Sequence, residues 1–365
     1  MSILEKRSTE RSLLVMVLDV SPVVWRMRSA FREKSDQSRR AKGKESVGPG
    51  ILEEILSSIQ LWCGAFATLQ RECAVLIIGV AGNATALLYP RKDTLQSYFL
   101  ISGGRRGNWD WESLPSQFID GVAELIQQNH AAEDTAAMAA GLSLALCHIN
   151  RFLVAHQSGS KAGGVSALYH DPTTPASAND DKDVMALIGN NNASTTKRRS
   201  AIQAGNWSPR ILLIQASNDR SQDYNAFMNC TFAAVKQNIV LDGCFLPSGM
   251  GKDPKNSSFL EQACDRTGGI YLAPSGMAQV GPAWSELLFA LFLAPRTARP
   301  ALTRPNIPSV DFRARCFLTG NSVSIAHVCN QCLSIFQNCP SETCPTCGAP
   351  ILNDKTMAAV TNGTE

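Results

Sequence analysis

The chain has 365 residues, 44% hydrophobic content and a net charge of +3 from 34 basic and 31 acidic residues. That length suffices for one large domain with an appendage, and the charge is too balanced to hold nucleic acid or a membrane surface by its overall field. No apolar stretch reaches the roughly 18–20 residues of a membrane span, and Met1-Ser2-Ile3-Leu4-Glu5-Lys6-Arg7 lacks the apolar core of a secretion signal, so an intracellular protein with no membrane partner is expected.

The unbroken apolar run Leu13–Leu18 ends abruptly in Asp19-Val20-Ser21-Pro22. It is too short for a buried helix and reads as a strand covered on both faces, the kind found in parallel sheets. Ligands of such sheets bind at the carboxyl ends of the strands, which makes Asp19 and Ser21 a candidate site. From Trp25 to Gly50 the sequence is rich in charge and reads as an exposed insertion, with Arg39-Arg40-Ala41-Lys42-Gly43-Lys44 as a solvated basic patch.

Leu52, Ile55, Leu56, Ile59, Trp62, Cys63 and Phe66 form a stripe of helical period that predicts a helix over 51–70. A second buried strand at Ala74–Val80, then Gly82-Asn83 and the apolar run Ala84–Tyr89, predict a hairpin with an antiparallel edge strand. Between Pro90 and Leu114 the pattern dissolves into a loop bearing Trp109 and Trp111, either a partner-binding loop or one folded back on the domain. Helices are expected at 118–128 and, capped by Asp134-Thr135, up to about Val154, with His148 in a packed or solvent-facing role.

The stretch from His156 to Pro209 is polar and nearly without apolar period, and reads as a disordered insertion carrying the basic triplet Lys197-Arg198-Arg199, a candidate for nuclear import. Beyond it, strands at Ile211–Ile214, Ile239–Leu246 and Ile270–Leu272 alternate with helices at 223–237, 258–267 and 284–293. Such βα alternation predicts a doubly wound α/β domain over 1–294 with flexible insertions at 32–48 and 157–209, followed by a Pro-rich linker at 295–308.

Six of the twelve cysteines fall between Cys316 and Cys347, while Cys63, Cys73, Cys147, Cys230, Cys244 and Cys264 are scattered singly and read as ordinary buried thiols. Cys329-Asn330-Gln331-Cys332 and Cys344-Pro345-Thr346-Cys347 supply two ligand pairs for one tetrahedral Zn2+. Four thiolates leave no position for water, so the zinc is read as structural, in a module over 309–352 with a flexible tail at 353–365. Cys339 and His327 are weaker ligand candidates, and Cys316 is either a packed thiol or the remnant of a second site.

A doubly wound domain whose first strand ends in Asp19-Val20-Ser21 resembles the von Willebrand factor A fold. The resemblance implies an Asp-x-Ser-x-Ser metal site completed by a later Thr, for which Thr135 is placed, and by an Asp after the fourth strand. Val23 stands at the third motif position and Ala216 where the last acid belongs. Neither offers oxygen to a hard cation, which argues against bound Mg2+ and makes Asp19 a turn and cap residue.

With its degraded metal site and trailing four-cysteine module, the chain is similar to the smaller von Willebrand A subunit of the transcription and DNA-repair factor TFIIH. Phe227-Met228-Asn229-Cys230-Thr231-Phe232-Ala233-Ala234, Lys236-Gln237-Asn238-Ile239 and the run from Val328 to Phe336 carry that likeness most clearly. It implies a nuclear, non-enzymatic scaffold that pairs with the larger von Willebrand A and zinc-finger subunit and other core subunits, serving RNA polymerase II transcription initiation and nucleotide excision repair.

The alternative is a RING-like ubiquitin ligase, which requires two zincs and about eight ligands. Direct sequence-specific DNA binding by the module is not expected, because no Lys or Arg lies between Cys329 and Cys347.

Overall fold

The computed structural model describes residues 11–30, 51–69, 73–91, 111–129, 135–158, 207–247, 256–274, 281–302, 312–319, 322–340 and 342–351. Most of the expected insertions, Arg39–Lys44, Trp109, Asp134, the triplet 197–199 and the tail 353–365 lie outside these residues.

A sheet of six strands forms the centre, in the order β3-β2-β1-β4-β5-β6. Its strands are β1 (Arg11–Asp19), β2 (Cys73–Ala81), β3 (Ala84–Tyr89), β4 (Trp207–Gln215), β5 (Val240–Phe245) and β6 (Tyr271–Leu272). All pairings are parallel except β2 with β3, the hairpin expected from Gly82-Asn83. Gly82 sits at φ +57°, the left-handed backbone that such a turn demands.

Residues 22–30 form a helix, α1. It is followed by α2 (Ile51–Leu69), α3 (Leu114–Gln128), α4 (Met138–Ser158), α5 (Tyr224–Lys236), α6 (Ser258–Thr267) and α7 (Gly281–Phe292).

Alternation along the strands assigns the helices to faces. A methyl added at Gly243 of β5 would strike Leu260 of α6, and one at Gly141 of α4 would strike Val17 and Val80, so α4 and α6 lie close on the sheet with α5 between them. The neighbours of Gly243, Asp242 and Cys244, point the other way, where α7 packs on α2 and the Trp62 indole donates to the Leu288 carbonyl at 3.2 Å. The β1 residues Leu13 to Leu18 are at most 1% exposed, as a strand covered by helices on both faces must be.

Three local expectations are corrected. Trp25 and Arg28 are not part of an exposed insertion: α1 continues directly from β1 and buries both. The strand expected from Ile211 starts at Trp207, because Pro209 lies on a stretch of β4 paired only with β1, where its missing N–H costs no second ladder. Thr135 does not cap a helix; it forms an isolated parallel bridge with Asn218, and α4 begins at Met138. Of the two readings open for the tryptophan loop, Trp111 follows the second and packs against the core.

Residues 295–302, within the stretch expected as linker, turn back onto the sheet through a short 3-10 helix at Arg299–Ala301. The Arg299 guanidinium is buried and grips the Asp242 carboxylate with two hydrogen bonds of 2.7 and 2.5 Å. Arg210 completes the cluster, 4.0 Å from Asp242, donating to the carbonyls of Phe292 and Ala294 at the end of α7 and lying over the rings of Trp62 and Phe66. Burial pulls the Arg210 pKa down to about 10, opposed by the Asp242 charge.

Past residue 311 four strands of two residues each, β7 (Ala314–Arg315), β8 (Ser322–Val323), β9 (His327–Val328) and β10 (Ile335–Phe336), make two small antiparallel ladders, β7 with β8 and β9 with β10. Their separate apolar cluster consists of Cys329, Phe336 and Cys344, with Phe317, Cys332, Ala349 and Ile351 packed against it. So small a core needs a further source of stability.

Candidate metal centre and the carboxyl end of the sheet

The strand order reverses between β1 and β4, and at such a switch point α/β sheets open a crevice for ligands. Asp19, Ser21, Thr135 and Ala216 all converge there, but the crevice is closed. One Asp19 carboxylate oxygen accepts from the Ser21 amide at 3.0 Å; the other accepts from the amides of Ala216 and Ser217 at 3.0 and 2.6 Å. The Ser21 hydroxyl accepts from the Gly82 amide at 3.4 Å, and the Ser217 hydroxyl from the Ala136 amide at 3.1 Å. Oxygens that would face a cation are instead turned onto the backbone of four converging loops.

Arg28, which sequence reasoning placed at the rim of an insertion, completes the closure. From α1 its guanidinium donates to the carbonyls of Ala216, at 2.8 Å, and of Leu246. Its cation lies 5.2 Å from the Trp25 ring centre, and the Trp25 indole donates to the Asp19 carbonyl at 2.9 Å. A positive charge thus sits among the carbonyls at the ends of β4 and β5. The only available signal was helical spacing from Trp25 to Arg28 directly after a strand. Asp219, three residues past Ala216, is also engaged, accepting from the Ser257 hydroxyl just before α6 at 2.5 Å and from the side-chain amide of Gln215 at 3.0 Å.

The second candidate has the opposite character. The sulfurs of Cys329, Cys332, Cys344 and Cys347 lie within 4.8 Å of one another, with Cys329–Cys347 at 3.8 Å and Cys332–Cys344 at 3.6 Å. Four ligands about 2.3 Å from a tetrahedral ion are separated by about 3.8 Å, so this cluster can hold a metal of that coordination.

Two matching turns build it. The Leu333 amide donates to the Cys329 carbonyl and the Ser334 carbonyl accepts from the Cys329 amide, both at 2.9 Å; Gly348 and Ala349 repeat the pattern on Cys344 at 2.8 and 2.7 Å. Both turns place the residue after the second cysteine in the left-handed region, Leu333 at φ +61° and Gly348 at φ +72°. The Ser334 hydroxyl, 3.0 Å from the Cys332 sulfur, is the main reason this thiol is held down at about 6, favouring the thiolate that a metal requires.

Cys316 and Cys339 stand outside this group of four. Burial pushes the Cys316 thiol up, but hydrogen bonds from the Thr319 side chain and the amides of Gln337, Thr319 and Leu318 outweigh it and hold the thiol at about 7. His327 is exposed on β9 and is not in the cluster either.

An α/β domain of the von Willebrand factor A type with a closed adhesion site, joined to a module whose four clustered cysteines can hold a metal ion, is the class of protein that this fold and these sites define. The chain belongs to the family described as Transcription factor Tfb4, whose profile matches residues 11–348.

It is 28% identical over 387 residues to the general transcription and DNA repair factor IIH subunit TFB4 of Debaryomyces hansenii, covering 98% of this chain and 89% of that protein. The subunit of the same name from Yarrowia lipolytica is 28% identical over 340 residues, with coverages of 85% and 82%. Among solved structures, the TFIIH p34 N-terminal domain is similar at a TM-score of 0.44 and 20% identity, over 73% of this chain and 93% of that one.

Proposed function

We propose that the chain is a non-catalytic structural subunit of the TFIIH core, acting in the nucleus in RNA polymerase II transcription initiation and nucleotide excision repair through protein–protein contacts. The observation that carries this reading is membership of the Tfb4 family along nearly the whole chain, with relatives named as subunits of a general transcription and DNA repair factor. The closed switch-point crevice supports a scaffold role, since Asp19 and Ser21 are engaged by backbone amides rather than presented to a substrate.

On this reading Cys329, Cys332, Cys344 and Cys347 hold one structural Zn2+, in a module of about 309–352 that follows the α/β domain of 1–294. The larger von Willebrand A and zinc-finger subunit is the direct partner. Exposed Phe232 and Val235 on α5, and Leu318, Ile325, Val328 and Leu333 in the module, provide apolar surface for such contacts.

The ubiquitin-ligase alternative is not supported: the described residues contain a single cluster of potential ligands, and the family and its relatives are transcription and repair factors.

Copurification of the two subunits, followed by size-exclusion at rising salt, tests the proposal. A one-to-one complex that weakens little from low to moderate salt is expected, because screening acts on exposed charge and hardly on apolar burial. Failure to form the complex, or its steep dissociation with salt, would overturn it.

A further inference from the structure

Helix α6 carries Ser258, Glu261 and Gln262 among its first five residues, and yet all seven consecutive residues from Ser258 to Cys264 are buried. Seven residues pass almost twice around a helix, so a helix buried over such a run has no face left to solvent. The sheet covers the Leu260 side, where Gly243 of β5 touches it, and α5 covers a flank. Something else must lie over Glu261 and Gln262, which are 8% and 6% exposed.

The module touches the start of α5 and the end of α6. Phe317 meets Tyr224, the first residue of α5, edge to face with ring centres 6.4 Å apart. Tyr224 in turn lies 5.0 Å from Phe259 of α6, and Phe259 lies 6.1 Å from Phe227, a residue of the main core. At the other end of α6, the Arg266 guanidinium sits 5.1 Å from the Phe312 ring centre. Phe317 also belongs to the apolar cluster that contains Cys329 and Cys344. A line of aromatic contacts therefore runs from the four-cysteine site to the core of the α/β domain.

We infer that the four-cysteine module is a docked layer of the α/β domain, with α6 held between it and the sheet, so that metal binding and the order of α5 and α6 are thermodynamically coupled. Arg299 serves the same arrangement from the preceding segment: its buried pair with Asp242 fixes the chain to the sheet thirteen residues before Phe312. The coupling to metal rests on the zinc reading above; the docking does not.

Hydrogen exchange on the full-length protein, with and without EDTA, tests this, with zinc content measured in parallel. Chelation should speed exchange in 258–264 while leaving the centre of β1 protected. In untreated protein, Phe317→Ala should speed exchange in 258–264, and Tyr224→Leu should speed exchange in 312–319, each by about two- to tenfold, the range an aromatic pair supports.

Tyr224→Leu leaves the module's own sequence intact, so it decides the matter even where Phe317→Ala loses its metal. Unchanged exchange in 312–319 on Tyr224→Leu overturns the docking, and loss of zinc without any change in 258–264 overturns the coupling. A chain that contains no zinc as purified would instead sink the metal assignment, with the Tyr224 variant still reporting on the docking.

Discussion

Two places in this molecule carry the spacing of a metal site, and they use it in opposite ways. At Asp19 the oxygens are consumed by three backbone amides, whereas at Cys329–Cys347 four sulfurs crowd together with only each other and a few donors for company. A carboxylate that already accepts short bonds from amides in a dry site gains little from a cation and would have to give those bonds up. Once ionised, sulfurs 3.6–3.8 Å apart would repel, and a divalent ion between them would relieve that repulsion and fix two turns in place. Ligand identity nominates a site; whether the ligands are otherwise engaged decides it.

The largest expected effect breaks the thiolate side of this comparison. Structural zinc sites contribute on the order of 10 kcal/mol to folding, so Cys329→Ser should unfold the module and release one equivalent of zinc, followed with a chromogenic chelator and by circular dichroism. If Cys339→Ser loses the metal while Cys344→Ser keeps it, the ligand set is wrong.

Next comes the buried pair that fixes the segment before the module. Arg299→Met leaves Asp242 with the Ile270 amide and a distant Arg210, and should cost about 3–5 kcal/mol in denaturant unfolding, as loss of one member of a buried ion pair does. A loss below about 1 kcal/mol would mean that the pair is not formed in solution.

Asp19→Ala sharpens the carboxylate side. It strands three buried amide donors and should cost about 2–4 kcal/mol, with the same loss in the presence and absence of Mg2+. Stabilisation of the unaltered protein by millimolar Mg2+ that disappears in the variant would reopen the adhesion site.

The smallest expected effect lies in α4, away from both. Burial, reinforced by Arg151, lowers the His148 pKa from 6.5, so the unfolded chain takes up a proton before the folded one does. The resulting contribution is fully present above about pH 6.5 and is lost as pH falls below it. His148→Phe should flatten the slope of stability against pH between 5 and 7; an unaltered slope would show that another group carries it.

Much of the architecture was legible from residue order because its causes are local. Short apolar runs bounded by turn residues fit strands covered on both faces, which is how Leu13–Leu18 and Ile211–Ile214 announced a parallel sheet. Gly82-Asn83 fixed the hairpin through backbone freedom that few other residues possess, and the two Cys-x-x-Cys pairs fixed the four-sulfur cluster because each pair closes its own turn. Set against the motif that the von Willebrand A resemblance implies, Val23 and Ala216 offer no oxygen to a hard cation.

What the sequence could not disclose is where the remaining polar groups of that site turn, since two of the three amides that bind Asp19 lie 197 and 198 positions away and the carbonyls that bind Arg28 lie 188 and 218 away. Arg28 fell in a stretch read as an exposed insertion and Arg299 in one read as a linker, because hydropathy counts the guanidinium and not the carbonyls or carboxylate that await it. Likewise, the polar helix α6 is buried only because two separate bodies close on it. Composition and spacing set which segments become strands, helices and thiolate turns; the pairing of buried charges and the covering of α6 depend on chain segments brought together by folding, and only the tertiary structure decides them.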